Sequence, residues 1–515
     1  MGRLNTPTIG EIKKLAAANG LTLDDSDAGA YQRMVSAVLR SCERLDELEP
    51  TPSPETYPRE LGCRPPRSEN PYNAWYCRTE VKGAPSGPLY GKEIGIKNNI
   101  CVSGAPMLVG ETEEPFVPNR DATVVTRLLD AGAVIVGKTT ASDGAGISDL
   151  SSNSPFVTVR NPHKPTHAPG GSSSGNAAAL AAGDIDLAIG SDQGGSVRIP
   201  AAWSGIVGLR PTFGLVPYTG VIASEMTAVA LGPMARSVEI VASALGAIAG
   251  PDPLDPRQQG IAPPPVDYQA AMDLGARGLR IAVVEEGFGQ QPRPDVGLPG
   301  SESVVDDKVR AALKALEALG AIVEPVSIPA HTDGFHLFHA MYTEGNAAMI
   351  LANAVGTNFT GYYDVALMEA YGRAWRNEPD VLSAARRSVL IIAEHLRSRY
   401  HGRYYALAQN LRDSIRQAYD RVLARYDVLA MPTVPFRATP IPRKTLPVDE
   451  RVGYAMQMIG NTCQSAITGH PAISVPCGMS DDLPIGLQLI GGHFDEAILL
   501  RAAAAIEGVG EWKSL

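Results

Sequence analysis

The feature that most restricts how this chain can fold is a pair of serine-bearing loops rich in glycine. The first glycine loop, residues 170–173, reads Gly-Gly-Ser-Ser, and the second glycine loop, residues 193–196, reads Gln-Gly-Gly-Ser. Glycine loses more backbone freedom on folding than any other residue, so paired glycines are favoured where the chain turns sharply or where something approaches the backbone. An apolar stretch at residues 187–189 precedes the second loop and is typical of a buried strand. The pattern predicts a strand that ends in a tight turn, and a built site rather than two linkers.

The second glycine loop predicts a cluster of backbone hydrogen-bond donors. Successive N–H groups that carry little side-chain bulk can converge on one negatively charged oxygen, which is what an oxyanion hole requires. The donors in question are the N–H groups of Gln193, Gly194, Gly195 and Ser196. A serine at the end of such a turn is a candidate nucleophile, provided that a base accepts its proton.

Two kinds of base are available to such a serine. Lys97 stands in the apolar segment GIKNNI, between Ile96 and Asn98. If this lysine is buried, its pKa falls and the neutral amine can accept a proton. His163 and His167 lie near the first glycine loop in sequence, although loop histidines are more often structural. The residues alone leave the identity of the base open.

Two familiar loop motifs do not fit the first glycine loop. Residues 171–175 match G-x-S-x-G, the nucleophile elbow of α/β-hydrolases, which needs a strand leading into the serine. The approach instead carries Pro162, Pro165 and Pro169, which break strand pairing. A phosphate-binding P-loop needs a lysine before the serine, and this loop has none.

Three neighbouring histidines and the cysteines are the candidate metal ligands in the sequence. Of the neighbouring histidines His331, His336 and His339, only the last two share a helical face, and no carboxylate pattern completes a ligand set. The six cysteines contain no C-x-x-C pair. We therefore interpret the histidines as helix surface or pocket lining, and we expect neither a metal site nor an organic cofactor.

The order of patterns along the chain divides it into two parts. Residues 1–60 hold helical spacing over residues 8–48, followed by a proline-rich connector. Residues 61–515 alternate strand-like and helix-like segments, which favours an α/β catalytic domain around a buried sheet. A helix-rich region covers residues 332–425.

Charge and hydropathy exclude some classes of binding partner. The net charge of −10, without a long basic cluster, argues against nucleic acid or an anionic membrane. The N-terminus has no apolar h-region, and no apolar run is long enough to span a bilayer. We expect a cytoplasmic protein, and we leave a homodimer open.

Taken together, the segments GIKNN at Lys97, GGSSSG at Ser172 and DQGGS at Ser196 resemble the amidase signature family. From about residue 70 to the end, further segments such as DVLAMPTVP and TGHPAISVPCG are similar to family sequences. The resemblance implies a single α/β catalytic domain with a central mixed sheet surrounded by helices. With its helical N-terminal extension, the layout is most similar to bacterial amidases found beside nitrile hydratases.

The resemblance also implies roles for individual residues. Carried over by position, Ser196 is the nucleophile, Ser172 is the bridging serine held by a cis peptide bond, and Lys97 is the base of a Ser–Ser–Lys triad. The backbone N–H groups of residues 193–196 then form the oxyanion hole. Supporting positions of the signature are Ser173, Asp192 and Arg198.

The sequence departs from the family pattern at three positions. Ser174 replaces a glycine, Asn176 replaces a serine, and Asn98 stands where the family usually has an aspartate. These changes leave the triad intact, but they bear on the electrostatics of the lysine and on the shape of the loop.

The activity that the resemblance implies is hydrolysis of a small-molecule amide to a carboxylic acid and ammonia or an amine. The alternatives are an amidotransferase A-type subunit that releases ammonia from glutamine, a hydrolase of a related carbamate, ester or hydrazide, and a binding module that keeps the loops as a scaffold. We expect the substrate pocket to be lined by residues in the 140s, by residues 222–226 and by the helices after residue 332.

Overall fold

The computed structural model describes residues 4–48, 56–109, 115–141, 158–258, 260, 263, 266–377, 382–443, 446–510 and 512–514. The chain separates into two compact units, residues 1–54 and 55–515. None of the helices in these described ranges is long and apolar enough to cross a membrane. The expected pocket residues in the 140s lie outside the described residues, apart from Thr140 and Ala141 at their start.

The first unit contains the helices that the sequence predicts there. They are α1 (Ile9–Ala18) and α2 (Asp25–Leu48). Helix α1 begins with a capping box, because the Thr8 hydroxyl accepts from the Glu11 N–H while the Glu11 carboxylate accepts from the Thr8 N–H.

The second unit is built around one mixed sheet, which has eleven strands in the part of the chain that the structure describes. They are β1 (Trp75–Lys82), β2 (Glu93–Lys97), β3 (Val134–Thr139), β4 (Leu187–Asp192), β5 (Val207–Arg210), β6 (Ala230–Ala235), β7 (Arg280–Val284), β8 (Ile322–Val326), β9 (Val428–Pro432), β10 (Ala472–Ser480) and β11 (Leu483–Gly491). Across the sheet the order is β1-β3-β2-β4-β6-β5-β10-β11-β9-β7-β8.

Parallel pairing is confined to two places in this sheet. Strand β2 runs parallel to both β3 and β4, and β7 runs parallel to both β8 and β9. The remaining neighbours are antiparallel. Strands β4, β5, β9 and β11 are buried along their whole length, as expected for strands covered on both faces. The predicted α/β fold with a central mixed sheet is confirmed.

Helices surround the sheet. Those described in the second unit are α3 (Thr123–Asp130), α4 (Ser174–Ala182), α5 (Arg198–Ser204), α6 (Val238–Ile248), α7 (Tyr268–Met272), α8 (Ser303–Ala318), α9 (Ala330–Leu351), α10 (Val365–Asn377), α11 (Ala384–Tyr400), α12 (Arg403–Leu423), α13 (Val448–Met456), α14 (Cys463–Thr468) and α15 (Glu496–Glu507). The largest apolar core joins the sheet to α3, α6, α8 and α15. A second apolar cluster gathers side chains of α9, α10, α11 and α14, within and beyond the helix-rich region predicted at residues 332–425.

Candidate active site

The parallel pairing of β2 and β4 brings the two signature segments to the same edge of the sheet. Ile96 of β2 pairs with Ile189 of β4 in parallel register. Strand β2 ends at Lys97, and β4 ends at Asp192, directly before the second glycine loop. In α/β proteins, ligands bind at the carboxyl ends of such strands. The edge where Lys97 lies is therefore the expected position of a site.

Lys97 is fully buried and faces two serines. Its Nζ lies 2.7 Å from Oγ of Ser172, 3.0 Å from Oγ of Ser191 and 3.3 Å from the carbonyl oxygen of Ser191. The Asn99 amide donates to the same Ser191 hydroxyl at 3.1 Å. The sequence reasoning missed Ser191, although its position next to Asp192 at the end of a buried strand is the signal that could have found it.

The first glycine loop is held against the second. The peptide bond between Gly171 and Ser172 is cis, and the Ser173 N–H donates to the Ser196 carbonyl at 3.2 Å. Gly170 has a φ of +86°, and a Cβ there would lie 2.7 Å from the Cα of Pro200. The loop therefore requires glycine at position 170, both for its backbone conformation and for its close approach to α5.

The two residues of this region that depart from the family pattern, Ser174 and Asn176, form hydrogen bonds with nearby residues. The Ser174 hydroxyl donates to the Gly170 carbonyl at 2.7 Å, which fixes the turn from inside. The Asn176 side chain is hydrogen-bonded to Thr139 and donates to the Met234 sulfur at 3.6 Å. Both departures from the family pattern thus stabilise the start of α4 without occupying the edge where Lys97 lies.

In the second glycine loop, one of the expected donors is already engaged. The Gly195 N–H donates to Oδ1 of Asp192 at 2.9 Å, and Gly195 adopts a φ of +131°. The donors left for an oxyanion are then the N–H groups of Gln193, Gly194 and Ser196. The Ser196 side chain lies just before α5 and is almost completely buried, with 3% of the residue exposed.

Asp192 fixes this loop through a buried ion pair. Its carboxylate accepts from the Val197 N–H at 3.1 Å and from Arg198 Nε and a terminal Arg198 nitrogen at 3.1 and 3.0 Å. Burial alone would raise the pKa of Asp192, but the charges of Arg198 and Arg210 and these hydrogen bonds lower it to about 2. The carboxylate is therefore charged at neutral pH and orients the second loop.

Arg198 also ties the loop to distant parts of the chain. Its guanidinium donates to the Ser465 hydroxyl at 2.8 Å, to the Gln488 side chain at 2.7 Å and to the Thr462 carbonyl at 2.9 Å. Arg210 donates to the Asp192 carbonyl and, at 2.8 Å, to the Ala228 carbonyl. The sequence reasoning missed the partners of Arg198, because residues that lie 264 to 290 positions apart leave no local pattern.

Several buried polar atoms around this edge have no hydrogen-bond partner within the described ranges. They are the side-chain atoms Asn98 Oδ1 and Nδ2, Asn99 Oδ1, Thr140 Oγ1, Ser173 Oγ, and Gln193 Oε1 and Nε2. Buried polar groups are normally paired, and an unpaired one costs about 1–3 kcal/mol. Thr140 follows β3 and the two asparagines follow Lys97, while Ser173 and Gln193 belong to the glycine loops, so these atoms can accept or donate hydrogen bonds to water or to a polar ligand group.

A second buried lysine lies on the neighbouring strand. Lys138 of β3 pairs with Ile96, whereas Thr139 pairs with Lys97. Because side chains alternate along a strand, the two lysines face opposite sides of the sheet. Burial lowers the pKa of Lys138 to about 8, and its amine donates to the Ile100 carbonyl. The sequence analysis did not consider Lys138. The pairing of β2 with β3 places its side chain on the face of the sheet opposite to Lys97.

The histidines that the sequence analysis considered lie in other surroundings. His163 is 3.1 Å from the Ser204 carbonyl, and His167 is 2.9 Å from the Thr166 hydroxyl. These contacts favour the structural interpretation of both loop histidines over the role of base for Ser196.

The three α9 histidines have different surroundings. His331 is buried between Tyr419 and Asn461, and His336 is 2.7 Å from an Arg293 nitrogen. The ring of His339 packs against Phe335 in a tilted arrangement, with centroids 4.4 Å apart. Burial lowers the pKa values of His331 and His339 to about 4. His331 and His339 are packing residues of α9, and His336 lies on its surface.

A cavity of about 680 Å³ opens beside two of the segments expected to line the pocket. Its wall includes Glu225 and Met226 together with Glu344 and Met349 of α9 and Tyr405 of α12. Within the described residues the wall does not include the signature serines or Lys97. The expected segments therefore line a cavity, but a cavity without the candidate catalytic residues.

Comparisons with known proteins identify the family of this chain. The Amidase family model matches residues 72–500. The chain belongs to the amidase signature family. It is an amidase, an enzyme that hydrolyses amide bonds. The match begins just before β1 and ends within α15, so it spans the sheet and both glycine loops.

Three relatives illustrate the similarity. An enantioselective amidase of Rhodococcus rhodochrous is 43% identical over 453 residues, which cover 87% of this chain and 85% of the relative. The A-type subunit of a glutamyl-tRNA(Gln) amidotransferase from Exiguobacterium sibiricum is 39% identical over 432 residues, covering 83% and 86%. The solved structure of a peptide amidase from Stenotrophomonas maltophilia superposes with a TM-score of 0.63 at 28% identity, covering 82% of this amidase and 83% of that chain.

Proposed function

We propose that this amidase cleaves its substrate with Ser196 as nucleophile, Ser172 as proton relay and Lys97 as base. The Ser196 oxygen attacks the amide carbonyl carbon while its proton passes to Ser172 and the Ser172 proton passes to the neutral amine of Lys97. The C–N bond then breaks as the proton returns through Ser172 to the leaving nitrogen. Water hydrolyses the resulting acyl ester by the same relay, releasing a carboxylic acid.

The observation that carries this proposal is the 2.7 Å contact between Lys97 Nζ and Ser172 Oγ in a fully buried position. Only the uncharged amine accepts a proton, and burial in a low-dielectric environment disfavours the charged form. The hydrogen bond between the Ser173 N–H and the Ser196 carbonyl supports the proposal further, because it joins the loop of the relay serine to the loop of the nucleophile.

We propose that three backbone donors stabilise the oxyanion: the N–H groups of Gln193, Gly194 and Ser196. The Gly195 N–H is left out, since it is engaged by Asp192 at 2.9 Å. Asp192 and Arg198 are positioning residues in this account, because they act on the loop and not on the substrate. Preorganised donors of this kind are usually the largest single contribution to amide cleavage.

The acyl side of the substrate is proposed to be apolar. A Cβ at Gly194 would lie 2.7 Å from Cζ of Phe338, so the Phe338 ring packs directly against the second glycine loop. Phe338 belongs to the second apolar cluster, together with Phe335 and Met341 of the same helix. An aryl or branched alkyl group bound there would place its carbonyl beside the donors of the loop.

We further propose that the enzyme discriminates between the enantiomers of a chiral amide. The 43% identical relative is named an enantioselective amidase. The Phe338 ring packed against Gly194 would favour one enantiomer, because it restricts where a substituent on the α-carbon can lie beside the loop.

The experiment is a panel of primary amides with ammonia release as the readout. A racemic aryl amide substituted at the α-carbon is expected to be hydrolysed, with kcat/KM for its two enantiomers differing by about tenfold or more, the discrimination that one apolar group provides. Hydrophilic amides of similar size are expected to react more slowly, and the Ser196→Ala variant to release no ammonia.

A second candidate function is release of ammonia from glutamine for a partner protein. It is favoured by the 39% identity to an A-type amidotransferase subunit. The same panel separates the two functions. Ammonia from glutamine alone, dependent on a copurifying partner and absent with every aryl or alkyl amide, would establish the glutamine function and overturn the proposed apolar amide substrate.

A further inference from the structure

A cluster of three metal-ligating side chains lies outside the site described above. Asp420 of α12, His470 and His493 offer one carboxylate oxygen and two imidazole nitrogens that all lie within 4.8 Å of one another. Nε2 of His470 is 3.0 Å from Asp420 Oδ1, and Nδ1 of His493 is 3.9 Å from the same oxygen. Two imidazoles and a carboxylate form a ligand set that suits zinc and related divalent cations.

Thr468 contacts both rings, in each case at the ring nitrogen that does not face Asp420. Nε2 of His493 lies 3.0 Å from the Thr468 carbonyl oxygen, and since that oxygen only accepts, Nε2 carries the proton. The lone pair of His493 is thereby left on Nδ1, the nitrogen that faces Asp420. His470 Nε2 donates to Asp420 Oδ1 at 3.0 Å, and its Nδ1 lies 2.8 Å from the Thr468 hydroxyl, which can accept the ring proton when Nε2 binds a cation instead. Partners of this kind orient histidine ligands in metal sites.

The charge and exposure of the cluster also suit a cation. Arg416 is 3.3 Å from Oδ2 of Asp420, on the carboxylate oxygen that the histidines do not share. The side chains of Asp420 and His493 are 40% and 29% exposed, which provides an entry path from solvent.

We propose that Asp420, His470 and His493 form a structural binding site for a divalent transition-metal cation such as Zn²⁺. The site joins α12 to the segments before β10 and after β11, so a bound ion would crosslink the helix-rich region to the sheet. Oδ1 of Asp420, Nε2 of His470 and Nδ1 of His493 bind the ion at about 2.0–2.2 Å after a small movement of the partly exposed His493 ring, and water completes the coordination.

The test measures zinc content and thermal stability of untagged full-length protein. The protein is stripped with EDTA, freed of chelator and reloaded with zinc chloride or, in parallel, magnesium chloride. About one zinc ion per chain is expected to remain after gel filtration. Zinc is expected to raise Tm by several degrees, because it binds the folded state preferentially, whereas magnesium leaves Tm unchanged.

Matched variants locate the site. His493→Gln and Asp420→Asn are expected to lose both the bound zinc and the zinc-dependent rise in Tm, each measured against its own metal-free Tm. His395→Gln removes an exposed histidine of α11 and is expected to keep both properties. Absence of bound zinc in the wild type, or an equal zinc-dependent rise in Tm in His493→Gln, would overturn the proposal.

Discussion

At the scale of single residues, burial changes what the ionisable side chains of the site can do. Lys97 is completely enclosed and lies within hydrogen-bond distance of Ser172 and Ser191. A lysine in such a place can exchange a proton with a serine, whereas an exposed lysine remains a hydrated cation at neutral pH. Asp192 illustrates the opposite case, a buried carboxylate that stays charged because arginines surround it.

The first prediction concerns the base. Lys97→Arg is expected to lower kcat/KM by about 10²–10⁴-fold, because the guanidinium stays protonated and cannot accept the Ser172 proton. The wild-type rate is expected to rise with pH as the lysine loses its proton and then to level off. The measurement is a pH series of kcat/KM for both proteins. Near-wild-type turnover in Lys97→Arg would show that the lysine is only a structural charge.

The second prediction concerns Asp192, whose lowered pKa sets the sign of a pH effect. A carboxylate whose pKa falls from 3.8 to about 2 on folding contributes about 2 kcal/mol above pH 4, and this contribution is lost as the pH falls towards 2. Asp192→Asn is expected to lack this acid-dependent loss, and to be less stable at pH 7 because Arg198 and Arg210 lose their buried counter-ion.

Urea unfolding between pH 2 and 7 measures this effect. Asp273→Asn serves as the control, because it removes an exposed carboxylate that has no buried partner. An unchanged acid slope in Asp192→Asn, relative to the control, would contradict the role assigned to the ion pair.

At the scale of elements, the two loops act together because β2 and β4 are parallel neighbours. The sequence predicted the strand before the second glycine loop, since a short apolar run before such a loop is a strong local signal. It placed Lys97 inside an apolar strand, and the structure ends β2 at that residue. It did not predict which strands are neighbours. That information lies in pairings between distant segments, such as the antiparallel contacts of β4 with β6.

The third prediction tests the shape of the second loop. Gly195→Ala places a Cβ 2.3 Å from Thr462 Oγ1 at a residue whose φ is +131°, so we expect a large loss of kcat and a destabilisation of about 1–3 kcal/mol. Gly183→Ala, at the left-handed C-cap of α4, also has a positive φ but open space around the new Cβ. Gly183→Ala is expected to lower the free energy of unfolding without changing kcat. Comparing the two variants distinguishes the effect of backbone strain from the effect of the clash with Thr462. Wild-type kcat in Gly195→Ala would contradict this account of the loop.

At the scale of the whole molecule, the site is assembled from segments far apart in the chain. Arg198 reaches Ser465 and Gln488, and Phe338 of the helix-rich region packs on Gly194. The sequence could supply the residue types of the triad and the α/β class through local motifs. It could not supply these long-range contacts, the engagement of Gly195 by Asp192, or the cluster of Asp420 with two distant histidines.

The most direct test of the central claim is to identify the residue that becomes acylated. A slowly hydrolysed aryl ester or a fluorophosphonate, incubated with the full-length enzyme, is expected to add one acyl or phosphonyl group per chain by intact mass, and peptide mapping is expected to locate it on Ser196. Ser196→Ala should remain unmodified, since Ser172 is engaged with Lys97. An adduct on Ser172 or Ser173 of the wild type, with Ser196 unmodified, would contradict the proposed mechanism.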